Sequence, residues 1–112
     1  MNNEEIKTKI IEAINIATKD KGYTLVKHHW GSNEDKRTCA LGCVLVANDK
    51  ELTSFFIQIM KIFGVSSIWV NEFISGYDNC SSMILDQAAR DLGAAIAKQF
   101  DPPSFTDIEG IK

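Results

Sequence analysis

The apolar residues of this chain fall mostly at helical spacing. From Glu4 to about Lys19, Ile6, Ile10, Ala13, Ile14 and Ala17 share one stripe while Glu5, Lys7, Lys9, Glu12 and Lys19 fill the other face. That pattern predicts an amphipathic helix, and Gly22 stands where such a helix stops. Residues 23–47 read two ways. Tyr23 to Trp30 and Thr38 to Ala47 are apolar-rich runs flanking the polar segment Gly31 to Arg37, which is the pattern of a β-hairpin. The second run also fits a short helix capped by Thr38, with Leu41, Val44 and Leu45 turned inward. The helix is preferred, because Ala40, Leu41 and Leu45 are good helix formers and a lone hairpin is marginal.

From Glu51 to Phe63 only Ser54, Gln58 and Lys61 interrupt the apolar positions Leu52, Phe55, Phe56, Ile57, Ile59, Met60, Ile62 and Phe63. A helix that apolar is expected at the centre of the domain, or under a partner subunit. Gly64 breaks it, and Ser66 reads as the cap of a further helix running to Ser75, closed by Gly76 and followed by Tyr77-Asp78-Asn79 as a turn. A last helix spans Ser82 to Phe100 with Leu85, Ala88, Ala89, Leu92, Ala95 and Ile96 inward, Asp86 set to pair with Arg90, and Asp101-Pro102 ending it. The expected fold is therefore all-α, a compact bundle of four or five helices in residues 1–101 followed by a C-terminal tail, 102–112. In it the last helix and the Glu51 to Phe63 helix form the core and helix 1 closes it; an α+β fold with a short hairpin in 23–47 is the alternative. The tail keeps Phe105, Ile108 and Ile111, enough to dock but not to fold alone.

Composition agrees with one globular domain: 112 residues, 45% hydrophobic and 24% charged, with two prolines. The net charge of −3 repels phosphate backbones and anionic headgroups, which argues against nucleic acid and membrane surfaces as partners. No apolar run approaches the roughly 18 residues of a membrane span, and the start Met-Asn-Asn-Glu-Glu lacks the segments of a signal peptide, so a cytoplasmic, unanchored chain is expected. Three cysteines are too few and odd in number for a secreted disulfide framework.

Candidate chemistry is sparse. Ile59 and Phe63, Gly64 at a turn, then Val65, Val70 and Phe73 form an apolar frame, and on it residues 56–75 resemble the helix-turn-helix of phage-repressor-type DNA-binding domains. The resemblance implies a second helix that offers Ser66, Ser67, Asn71, Glu72 and Ser75 to base edges. The segment departs from that family in having no lysine or arginine between Gly64 and Arg90, and in Ile68, Trp69 and Met60. His28, His29, Cys39 and Cys43 are ligand types that zinc prefers, but their spacing matches no zinc signature, so neither a metal nor another cofactor is expected. Cys43 with His28 or His29 as base would make a thiol-enzyme arrangement, one that any chain with two histidines and three cysteines allows.

Ala89, Gly93 and Ala97 form a row of small residues on the last helix. Glycine inside a helix costs about 1 kcal/mol against alanine, so close approach of another helix should compensate, either helix 1 or a symmetric copy. The function expected is a non-catalytic, self-associating interaction module. Its interface would be Phe56, Met60, Ala89, Gly93 and Ala97, and its exposed chemistry His28, His29, Trp30 and Trp69. A helix-turn-helix regulator is the second reading, and a small thiol or histidine enzyme or metal binder the third.

Overall fold

A computed structural model describes residues 1–81 and 83–104. The first helix, α1 (Asn3–Asn15), starts on a capping box in which Asn2 Oδ1 accepts the Glu5 N–H (2.9 Å) and Glu5 Oε1 accepts the Asn2 N–H (3.3 Å). It buries Ile6, Ile10, Ala13 and Ile14. A π-helical turn, Ile16–Asp20, carries the stripe on to Ala17, and Gly22 ends it with φ +76°.

Both readings of residues 23–47 are present, one after the other. Three two-residue strands, β1 (Thr24–Leu25), β2 (Gly31–Ser32) and β3 (Arg37–Thr38), form a sheet with β3 in the middle, antiparallel to β2 and parallel to β1. A Cβ on Gly31 would lie 2.2 Å from the Arg37 carbonyl oxygen, so only glycine permits this pairing. Helix α2 (Ala40–Ala47) follows at once. Its cap is Cys39, whose Sγ accepts the Gly42 N–H at 3.4 Å. The expected cap, Thr38, instead closes the strand, fully buried, with its hydroxyl donating to the carbonyls of Trp30 and Cys39.

This short helix, not the Glu51–Phe63 segment, is the covered one: every residue from Ala40 to Val46 is buried. The physical reason is that it carries no charged side chain, whereas the later helix must keep Gln58 and Lys61 wet. That later helix, α3 (Phe55–Phe63), begins four residues after Glu51. Asn33 at the hairpin tip accepts the Leu52 N–H (2.9 Å), Ser54 turns left-handed (φ +50°), and the Gln58 amide donates back to the Glu51 and Thr53 carbonyls. It buries Phe55, Ile59 and Phe63 and leaves Ile57 at the surface.

Ser66 caps α4 (Ser67–Asp78) by accepting the Trp69 N–H. The helix runs through Gly76, which does not close it; the stop is Asn79 at φ +58°. Gly76 is there because α5 (Gln87–Phe100) crosses it, and a Cβ would meet the Arg90 carbonyl oxygen at 1.9 Å. The cap of α5 is Asp86, later than the expected Ser82, which lies outside the described residues. The delay has a cause: Glu72 accepts the Leu85 and Asp86 N–H groups, so the chain reaches Asp86 laid along α4. In the resulting register Ala89, Leu92, Gly93 and Ile96 are buried, while Leu85, Ala88 and Ala95, expected inward, are exposed. Asp101 ends α5 at φ +45° ahead of Pro102.

Among the described residues the architecture is thus five α-helices with a small sheet. Helices α4 and α5 pack along one another, α1 packs on α2 and more lightly on α5, and α3 lies at the edge. Past α5 the chain does not detach. Pro102 is buried and the Pro103 carbonyl accepts the Lys27 N–H at 3.0 Å. Phe105, Ile108 and Ile111 lie outside the described residues. Among the described residues no helix is long and apolar enough to cross a membrane.

Candidate functional site

The segment between β1 and β2 holds His28, His29 and Trp30 against the C-terminal half of α4. His28 has φ +70°, a conformation that costs a residue with a Cβ roughly 1–3 kcal/mol unless its surroundings enforce it. Here they do. Its N–H donates to Asp78 Oδ1 (2.9 Å), its Nδ1 lies 3.1 Å from Ser104 Oγ, and its Nε2 lies 3.1 Å from the Asp78 carbonyl oxygen. His29 Nδ1 accepts the Gly31 N–H (2.9 Å), and the Trp30 carbonyl accepts the Cys39 N–H. Both ends of the three-residue segment are therefore fixed, one to α4 and one to the cap of α2.

Between this segment and α4 lies a cleft of about 210 Å³ lined by His28, His29, Trp30, Cys39, Phe73, Ile74, Tyr77 and Asp78. Trp30 is 51% exposed and its ring stacks on Phe55 with centroids 6.0 Å apart. The α4 wall is the end of a ring ladder, Trp69, Phe73 and Tyr77, each four residues after the last and stacked on it. The Tyr77 hydroxyl donates to the Val26 carbonyl (2.8 Å), which joins α4 to the residue after β1, and burial pushes its phenol up.

Cys39 brings a thiol to the cleft, but burial pushes it up to about 12, which leaves almost no thiolate at neutral pH. Burial likewise raises Cys43 well above its ordinary value, and its side chain sits within the core. Of the sequence-derived ligand set, the cleft unites His28, His29 and Cys39 and leaves Cys43 out.

The other expected site residues are placed differently. Trp69 is not surface chemistry. It is 6% exposed between Phe63 and Phe73, with its indole N–H donating to Asn3 Oδ1 (3.1 Å). At Gly93 the small-residue row seats α4: a Cβ there would stand 2.1 Å from the Phe73 carbonyl oxygen. Ala89 and Gly93 are buried, while Ala97, Phe56 and Met60 are half-buried.

The face offered to bases in the helix-turn-helix comparison is only partly open. Ser66, Ser67 and Asn71 are exposed, Ser75 is half-buried, and Glu72 is 4% exposed, its carboxylate shared by the Leu85 and Asp86 N–H groups and the Arg90 guanidinium (2.7 Å). Met83 and Leu85 flank Asn71 and Ser75 in a shallow groove.

Tyr77 and Asp78 are cleft residues that sequence reasoning missed, because it stopped α4 at Ser75. The i, i+4, i+8 spacing of Trp69, Phe73 and Tyr77 is the signal that carries the helix onward. No family model, curated protein or solved structure matches the chain, so function rests on this geometry.

Proposed function

We propose that the protein is a non-catalytic interaction module whose working surface is the cleft between His28–Trp30 and the end of α4. The observation carrying this reading is the combination of an apolar cleft with a half-exposed tryptophan at its mouth, beside His28, whose left-handed backbone is fixed to Asp78 of α4. Binding pockets have this composition, apolar walls with a few fixed polar groups, and strain that the surroundings enforce collects at functional positions. A non-catalytic role is favoured because the Cys39 thiol is pushed away from its nucleophilic form and the His28 ring nitrogens are both engaged. Neutral ring probes test it. Indole titrated into ¹⁵N-labelled protein should shift the amides of residues 28–31 and 73–78 with a Kd of about 1 mM, since one buried ring supplies roughly 4 kcal/mol. Trp30→Ala should abolish the shifts and keep the fold. Shifts scattered over the surface, or none at all, would defeat the reading.

A second reading has its own observation. On α3, Ile57 is 59% exposed between the half-buried Phe56 and Met60. We propose that this face self-associates. Light scattering at micromolar concentration is the test, and a monomer would rule it out.

A further inference from the structure

The cleft's shape and charge narrow what it takes. A cavity of about 150 Å³ walled by apolar side chains holds a benzene ring. The 210 Å³ here accommodates such a ring and a short stem. Among the described residues of the lining one carboxylate, Asp78, stands against those apolar walls, with no lysine or arginine. Asp78 Oδ1 is held by the His28 N–H, while its second oxygen takes no hydrogen bond among the described residues. Asp78 is also the last residue of α4, so the negative pole of the helix reinforces the carboxylate.

We propose that the cleft recognises an aromatic ring carrying an ammonium group one or two carbons away, the ring against Phe73, Ile74 and Trp30 and the ammonium on the free oxygen of Asp78. This chemistry is shared by small arylalkylamines and by a peptide whose first residue is aromatic, whose α-ammonium lies two carbons from the ring. The assignment rests on the cleft being the binding surface, and its test separates the two ideas.

The experiment titrates ¹⁵N-labelled protein with phenethylammonium, its neutral analogue 2-phenylethanol and the anion phenylacetate at low salt. The expected order is cation, alcohol, anion, with the cation favoured over the alcohol by about three- to tenfold, the range of a partly exposed charge-assisted contact. Asp78→Asn, which can still accept the His28 N–H, should erase that preference while binding 2-phenylethanol as the wild type does. In the wild type, added salt should shrink the same preference. Equal binding of alcohol and cation overturns the charge assignment and leaves the cleft reading intact. Failure of every ring probe to shift residues 28–31 and 73–78 overturns both. The source is read from phenylalanyl-glycine amide and its N-acetyl form: binding by the free peptide and not the acetylated one identifies a peptide N-terminus, whereas binding by phenethylammonium alone identifies a small amine.

Discussion

Replacing Gly93 by alanine sets two effects of known size against each other. Within a helix the change is favourable by about 1 kcal/mol. The new Cβ would stand 2.1 Å from the Phe73 carbonyl oxygen and 2.9 Å from the Tyr77 nitrogen, where ordinary contact begins at 3.4 Å. Both obstacles are backbone, so no side chain can rotate away, and α5 must back off α4 by about 1.3 Å at that point. Gly76 marks a second close approach between the same helices, which limits pivoting. Overpacking of this kind costs about 1–3 kcal/mol, and a gap of an ångström forfeits a quarter to a half of each dispersion contact along the seam.

The cost therefore exceeds the propensity gain, and Gly93→Ala should be less stable than the wild type by about 2 kcal/mol. In a domain of this size that lowers Tm by about 8 °C or more. Urea unfolding followed by far-UV circular dichroism measures it, with Ala94→Gly at an exposed position as the control, expected to lose about 1 kcal/mol from propensity alone. Stability equal to or above the wild type would show that α4 is not seated on Gly93. A fall in molar mass by light scattering with unchanged stability would return the small-residue row to a seam between two copies.

Two further outcomes follow from buried groups. The Leu85 N–H, then the Arg90 guanidinium and the Asp86 N–H, hold the Glu72 carboxyl below its ordinary value of 4.5. A depressed carboxyl stabilises the fold above its unfolded value and ceases to as pH falls through the folded one, so Glu72→Gln should lower the urea midpoint at pH 7 and the gap should close as pH falls below the ordinary carboxyl value; a gap independent of pH would refute the role. Cys80 is exposed whereas Cys39 and Cys43 are buried with thiols raised by that burial, so a colorimetric disulfide reagent should titrate Cys80 rapidly in native protein and the other two only on unfolding; three fast thiols would contradict the packing of α2.

What the sequence disclosed about this fold depended on whether a residue's role was set locally. Helix α1 was legible because its apolar stripe and the Gly22 stop are both set within one short stretch of chain. The Ser66 cap and the Asp101-Pro102 stop were legible for the same reason. The misplacements at Leu85 and Gly76 came from partners distant along the chain. Leu85 looked like core by periodicity, but the Glu72 carboxylate thirteen residues earlier takes its N–H and delays the cap to Asp86. Gly76 looked like a stop because glycine ends many helices, yet its missing Cβ makes room for Arg90.

The candidate site divides along the same line. His28, His29 and Trp30 could be picked out as residue types, imidazole and indole groups side by side at the end of an apolar run. Their geometry could not, because it is fixed by Asp78, fifty residues on, and by Ser104 beyond α5. Asp78 itself read as turn chemistry, and at the C-terminal end of α4 a carboxylate is electrostatically misplaced, since the helix dipole favours a cation there. A single exposed hydrogen bond from the His28 N–H offsets only part of that. The residue is therefore better accounted for by what its free oxygen can meet from outside than by what it contributes to the fold. On that account Asp78→Asn, while it removes the cation preference of the cleft, should leave the thermal midpoint unchanged or raise it; a clear loss of stability would mean that the carboxylate serves the fold first.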